Sequence, residues 1–391
     1  GNITGKPAST ASVEQPAIGT SPETKLGDTK PQSSARVALL LPLSGFGETA
    51  QIARGMKQAA EMALFDANNP AIQLMVKDDG GTPEGAMAAA DGAMAEGAEI
   101  ILGPLFGKAA TGAATAARRQ SISVMSFSND TSVAGNGVYL MSFLAADEIS
   151  RVIAYAAAKG KRRFVALIPA TPYGQTVEPA FRAAIATAGA DLVAAEVYTP
   201  DATGMLASAK KILETIKTAE RSGQPIDALF LPTGPGEIAQ LGPLIAYSGL
   251  DTSKVKLIGT SAWDVPVTAR DDILVGGWYA ASDPAAWADF SQKFQKTFGR
   301  APPRLATLAY DAMSYAIDLA GVPAPARYSA ESLTRAAGFN GVDGPVRFEA
   351  DGRARRALAV IEIEKYRSVV IDAAPRLDNA PARISSAAQV P

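Results

Sequence analysis

The sequence predicts an α/β protein made of two Rossmann-like lobes, each with a parallel sheet, joined at a multi-strand hinge. Three observations carry the prediction. Apolar runs of strand length alternate with segments whose apolar residues recur every three or four positions. The alternation runs through the chain twice. Loops rich in Gly, Pro and hydroxyl residues follow the strand-length runs, where open parallel sheets bind ligands.

The first run, Arg36–Leu43 (RVALLLPL), breaks at Ser44-Gly45-Phe46-Gly47. Ile52, Met56, Ala59, Ala60, Ala63 and Leu64 then mark a helix over Ile52–Asp66, after a strand at Val37–Leu41. Strand Gln73–Lys77 precedes helix Pro83–Glu96, and strand Ile100–Leu102 precedes helix Ala109–Arg118. Strands at Ser123–Phe127 and Val138–Ser142 lead to helix Asp147–Lys159, with a lobe boundary near Ala145–Asp147. The second cycle is strand Phe164–Ile168, helix Val177–Ala188, strand Asp191–Val197 and helix Met205–Ser222. It continues with strand Ala228–Leu231, helix Glu237–Ser248 and strand Lys256–Gly259. After Gly276 come helices Pro284–Phe298 and Leu305–Leu319. Phe348–Gly352 and Ala357–Glu364 read as a hairpin around the turn Ala350-Asp351-Gly352. Such a tail completes both lobes and gives two or three crossings. The expected division is a tail over 1–35, lobe 1 over 36–145 plus about 277–320, lobe 2 over 146–276 plus about 321–371, and a second tail over 372–391.

Composition narrows the function. The chain has 391 residues, no Cys and no His, which removes thiol nucleophiles, imidazole bases and nearly every zinc site. No catalytic residue, metal or cofactor is therefore expected. A net charge of −2 gives no electrostatic reason to expect nucleic acid or an anionic membrane surface as partner. No apolar run reaches the ~20 residues that cross a bilayer. Residues 1–35 lack aromatics and are rich in Ser, Thr, Pro, Gly, Ala and Lys. They read as a spacer from a membrane anchor or as a plain terminus.

Each candidate loop has two readings. Gly103-Pro104-Leu105-Phe106-Gly107-Lys108 joins a strand to a helix start, where free backbone N–H groups attract an anion and Gly107 permits close approach; a turn needing glycine is the alternative. Ser128 and Asp130 can hold a ligand's polar end, or can form the turns their types favour, as Ser132 does. Tyr173, in PATPYG, suits a cleft mouth or a core. Thr233 and Ser261 lie in later loops, and Trp263 in TSAWD reads as a ligand or inter-lobe contact. GPGE at 234–237 lacks the ending of a phosphate loop, and Asp78-Asp79 reads as a solvated turn.

PLSG at 42–45, GPLFG at 103–107, the polar loop after Val124-Met125, and Tyr173-Gly174 resemble the type I periplasmic binding proteins of the leucine/isoleucine/valine class. So do Phe290–Gly299, YDA at 310–312 and GVDGPVRFEADG at 341–352, so the resemblance spans Arg36 to about Ile371. It implies two lobes with a three-stranded hinge and a small ligand, amino-acid-like or another small organic acid, closed in a cleft for an ABC permease. It implies a periplasmic, non-catalytic protein. In that family a hydroxyl at the start of the third helix holds the ligand carboxylate; Gly107 stands there. The acid that pairs with the ammonium falls near Ser261–Trp263, with Asp264 the nearest carboxylate. On this reading Phe46, Phe106, Tyr173 and Trp263 are apolar walls, and Ser128, Asp130, Thr233 and Ser261 are hydrogen-bond partners. GPLF followed by an SFS-type strand also resembles bacterial lipoproteins that activate penicillin-binding proteins. That subgroup implies a lipid anchor on the membrane and a penicillin-binding protein as partner, regulating peptidoglycan synthesis.

Overall fold

The computed structural model describes residues 34–264 and 272–377. Most of the expected N-terminal tail and the last fourteen residues of the C-terminal one lie outside them. The chain divides into two compact units. Unit 1 holds residues 34–143, 285–356 and 376–377 of the described chain, and unit 2 holds residues 144–264, 272–284 and 357–375.

Unit 1 is a five-stranded parallel sheet in the order β2-β1-β3-β4-β5. Its strands are β1 (Ala35–Leu41), β2 (Ile72–Asp78), β3 (Ile100–Leu102), β4 (Ser123–Ser126) and β5 (Val138–Leu140). The run at Ala35–Leu41 is buried at every position but Arg36, as expected of a strand covered on both faces. Helices α1 (Gly47–Ala67) and α9 (Ala306–Leu319) pack with Leu39 and Leu41 in one apolar cluster. Helices α2 (Pro83–Ala95) and α3 (Gly107–Arg118) pack with Leu40 and Ile101 in the other. The α2–α3 layer is mostly Ala, and small side chains let helices and sheet approach closely. A small antiparallel sheet, β11 (Phe339–Gly341), β12 (Gly344–Phe348) and β13 (Ala354–Arg356), joins the α9 face through Val346 and Phe348.

Unit 2 is a seven-stranded sheet in the order β15-β14-β10-β9-β8-β6-β7. Strands β6 (Arg163–Pro169), β7 (Asp191–Tyr198), β8 (Ala228–Phe230), β9 (Lys256–Ile258) and β10 (Trp278–Ala281) run parallel. Strands β14 (Ala359–Glu364) and β15 (Arg367–Asp372) extend it antiparallel. Helices α4 (Ala145–Ala158) and α5 (Pro172–Thr187) supply Ile149, Val152 and Phe181 to one face. Helices α6 (Ala202–Arg221) and α7 (Pro235–Tyr247) supply Ile212, Ile216 and Leu241 to the other.

Both sheets are doubly wound α/β sheets, as the sequence predicts. Four expectations need correction. The turn at Ala350–Gly352 joins β12 to β13, and Ala359–Glu364 pairs with β10 and β15 instead. The chain leaves unit 1 for unit 2 between Arg356 and Ala357, so one apolar run serves two sheets. Residues 321–356 therefore pack in unit 1, and residues 277–284 in unit 2. The expected second tail begins as the end of a strand at Asp372 and continues to Leu377, which packs in unit 1. The chain thus passes between the units four times, where the sequence reading allows two or three.

Candidate functional site

In each sheet the order reverses around one strand, β1 in unit 1 and β6 in unit 2. Loops beside such a switch point, at the carboxyl ends of the strands, are where open sheets take ligands. Every residue singled out from the sequence lies in a loop after β1, β3, β4, β6, β8 or β9, or at the helix start that follows.

In unit 1, Gly103 turns the chain after β3 at φ +101, where an added Cβ would meet Leu40 O at 2.1 Å. The chain then enters α3 with Phe106 as an N-cap that makes no side-chain hydrogen bond. A helix start without a side-chain cap keeps a partial positive charge. Asp130 lies against it: a Cβ on Gly107 would stand 3.0 Å from Asp130 Oδ2 and 3.3 Å from Ser128 Oγ. The carboxylate therefore belongs to the protein itself, and the glycine makes room for it. The loop also satisfies its own backbone. Ser126 Oγ donates to Pro104 O and accepts from Ser128 N–H. Ser128 Oγ accepts from Asp130 N–H, and Asp130 Oδ1 accepts from Ser132 N–H. Ser128 is buried, so it offers little to a ligand. Phe46, at the mouth of α1, is 89% exposed, while the Phe106 ring is half-exposed and faces Gly81.

In unit 2, Tyr173 in the first turn of α5 is half-exposed. Its hydroxyl pairs with Thr260 Oγ1 in the loop after β9. The next residue, Ser261, donates its N–H to Glu148 Oε1 at 2.8 Å. Two loop residues are thereby tied to two helix starts, those of α5 and α4. The Glu148 side chain is half-buried, and desolvation pushes its pKa up to about 7. The hydrogen bonds from Ser261 oppose that rise, while the charges of Asp147 and Asp264 add to it. Tyr173 is pushed up to about 12 by burial, partly offset by Thr260, with the charge of Glu148 adding to the rise. Tyr173, Ser261 and Glu148 thus form one polar cluster, with the fully buried Thr260 hydrogen-bonded to the Tyr173 hydroxyl.

Glu148 is the functional candidate that sequence reasoning passed over. A carboxylate in the first turn of a helix already has a structural explanation in the helix dipole. Nothing in the sequence spacing links residue 148 to residue 261; only the parallel order of the sheet does.

Two sequence candidates are corrected. Trp263 is 1% exposed and sits in the unit 2 core. Its ring lies over Gly259 and Gly277, edge-on to Tyr279, and its Nε1–H donates to Leu231 O. A ring needing one hydrogen-bond acceptor found it on the neighbouring strand end, so it is core and not a wall. Thr233 is fully buried, with Oγ1 lacking a hydrogen-bond partner among the described residues. Asp79, read as a solvated turn, is 1% exposed; burial pushes its pKa up to about 6, against a hydrogen bond from Gly81 N–H. No group of three or more Asp or Glu among the described residues could hold a metal ion.

A family model described as periplasmic binding protein matches residues 34–367. An uncharacterized protein of Rickettsia prowazekii (strain Madrid E) is 25% identical over 245 residues, 62% of this chain. The chain spans 65% of that relative's length. Among solved structures, an ABC transporter protein of Rhodospirillum rubrum is 18% identical, with 86% of this chain and 100% of that chain covered and a TM-score of 0.73. An ABC transporter substrate-binding protein of Desulfitobacterium hafniense, in complex with Leu, is 18% identical, with 87% and 100% covered and a TM-score of 0.60. At these identities the structural likeness is one of fold.

Proposed function

The chain belongs to the periplasmic binding protein family, and from that premise we propose that it is a non-catalytic solute-binding protein delivering a small ligand to an ABC permease. The observation that carries the reading is the polar cluster of unit 2. Glu148, Tyr173, Thr260 and Ser261 converge from three elements at the strand ends beside the switch point. The cluster suits a ligand that brings an ammonium or hydroxyl group. Leaving such a carboxylate without a partner in a dried site is costly, and a cationic group relieves that cost. In unit 1, Asp130 stands where an incoming carboxylate would approach α3, which disfavours any ligand carboxylate there, so it is the carboxylate of Glu148 in unit 2 that favours an amine-bearing molecule over a simple organic acid. The proposed ligand contacts in unit 1 are therefore Phe46, Phe106 and Gly107, with Asp130 toward a donor group.

The test is calorimetric titration and thermal shift with amino acids and their des-amino counterparts, such as leucine and 4-methylpentanoate. Saturable binding of an amine-bearing probe, lost in Glu148→Gln and Tyr173→Ala, supports the reading. Equal response to both members of each pair removes Glu148 from the site. If no probe shifts the melting temperature, the alternative gains: a lipoprotein that acts on a penicillin-binding protein.

A further inference from the structure

Three of the four passages between the units meet at one cluster of unit 1. The chain leaves unit 1 after Phe143, returns at Ala285 and leaves again after Arg356. Arg304 joins the first two passages. Its Cζ lies 4.9 Å from the Phe143 ring centroid and 4.5 Å from that of Trp287. The same guanidinium pairs with the buried Asp343 at 2.7 Å and donates to Thr307 Oγ1 at 2.9 Å. The turn that carries Asp343 is fixed to α9 in its own right. Asp311 Oδ1 accepts from Val342 N–H at 2.8 Å, and a Cβ on Gly341 would stand 2.2 Å from Asp311 Oδ2.

Arg356 joins the third passage to the first. It donates its Nε–H to Ser142 O at 3.0 Å, and its Cζ lies 4.9 Å from the same Phe143 ring. Arg356 is 6% exposed, and a buried guanidinium is costly unless its contacts are well made. Arginine suits this place because its flat head stacks on a ring and still donates hydrogen bonds in its own plane. Unit 2 has a counterpart in Arg151 of α4. Its Nε–H donates to Leu358 O at 2.8 Å, just past the third passage. Its Nη2 donates to Asp372 Oδ2 at 2.8 Å and to Ala373 O at 3.3 Å, just before the fourth. α4 itself starts at Ala145, directly after the first passage. α4 and its Arg151 thereby hold the chain at the first, third and fourth passages.

We infer that Arg304 and Arg356 in unit 1, and Arg151 in unit 2, are positioning residues that clamp the chain on each side of the passages. Bending is thereby confined to residues 143–145, 282–286, 356–358 and 373–376. In hinged proteins a few such residues absorb the change in dihedral angles while the packed bodies stay rigid. The use of the hinge, closure on a ligand, rests on the solute-binding reading; the clamps do not.

Spin labels test the inference on the full chain, and the absence of Cys lets them be placed at will. Asp91→Cys on α2 with Lys210→Cys on α6 pairs the two units. Asp91→Cys with Lys296→Cys lies within unit 1, and Ala183→Cys with Lys210→Cys within unit 2. All four positions are exposed. Distances are read by pulsed electron resonance with no ligand added, and melting temperature checks folding. Arg304→Met, Arg356→Met and Arg151→Met should each at least double the width of the distance distribution between units and leave the within-unit widths unchanged. If the buried Arg356→Met does not fold, the half-exposed Arg304 and the α4 residue Arg151 decide the matter. An unchanged width between units, or equal broadening within a unit, overturns the clamps. Widths that respond in a protein that binds no amine-bearing probe would uphold the clamps and count against the solute-binding reading alone.

Discussion

Units 1 and 2 share one architectural grammar and use their strand ends in opposite ways. In unit 1 the loop after β4 is a relay of hydroxyl and carboxylate groups, Ser126 to Ser128 to Asp130 to Ser132, each closing the turn of the next. In unit 2 the loop after β9 is tied by side chains of two helix starts, through Thr260 to Tyr173 and Ser261 to Glu148. The loop richest in polar residues is thus largely self-satisfied. The unit 2 cluster is assembled from two residues that the sequence singles out, Tyr173 and Ser261, and two that it does not, Glu148 and Thr260. Residue type alone does not separate these cases; the partner of each polar atom does.

The sharpest way to break the comparison is through Trp263. If it is core, Trp263→Ala destabilises unit 2 by about 3–5 kcal/mol, read by denaturant unfolding. Its ring fills the space over Gly259 and Gly277, and Leu231 O would lose one of its two donors, keeping the Thr233 N–H. Stability within about 1 kcal/mol of the parent would return Trp263 to the ligand wall.

Glu148→Gln comes next. It keeps a group able to accept the Ser261 N–H and removes the charge. Affinity for an amine-bearing ligand should fall roughly ten- to a hundredfold, matching about 1.5–3 kcal/mol for a hydrogen bond to a charged group. Tyr173→Phe should cost less, because it removes a neutral partner. If the acidic partner were instead Asp264, Glu148→Gln would leave affinity unchanged.

The same carboxyls set a pH dependence. Burial raises Glu148 and Asp311 to about 7 and Asp79 to about 6 in the folded chain, from 4.5 for Glu and 3.8 for Asp. Below about 4, folded and unfolded chains both carry these protons, and there is no difference. Between about 4 and 7 the unfolded chain releases them while the folded chain holds them, so stability falls as pH rises. A melting temperature higher at pH 5 than at pH 7.5 is expected. Glu148→Gln should remove unit 2's part of that slope and leave the part from Asp79 and Asp311 in unit 1. A melting temperature that climbs from pH 5 to 7.5 would contradict the burial of all three.

The fold was legible where apolar periodicity is strong. The strand at Ile100–Leu102 and the helix at Pro284–Phe298 have the bounds that the sequence implies. Strand β10 was missed because Trp278–Ala281 (WYAA) carries none of the branched aliphatic residues that mark Ile100–Leu102. Strand β15 was missed because its alternation is weak and it pairs only at a sheet edge. The hairpin error had another cause: the turn at 350–352 is genuine, but the returning strand ends at Arg356, where the chain changes units. Glu148 could not be found from spacing, because its contact with Ser261 is set by the tertiary order of β6, β8 and β9.

The finest contrast lies in two matched helix caps. Thr82 Oγ1 accepts from Gly85 N–H at the start of α2, and Thr171 Oγ1 accepts from Gly174 N–H at the start of α5. Each precedes a Pro in the first turn, so the local geometry is the same. Replacing either hydroxyl cap by Ala should cost about 1 kcal/mol, because one backbone donor loses its acceptor. Thr82 lies in unit 1, outside the polar cluster of unit 2, whereas Thr171 lies two residues before Tyr173. Equal stability losses in Thr82→Ala and Thr171→Ala, with ligand affinity changed only in the second, would make Thr171 a positioning residue for the Tyr173 hydroxyl. Unchanged affinity in both would mean that packing around α5, including Val177 and Phe181, holds Tyr173 in place without the cap.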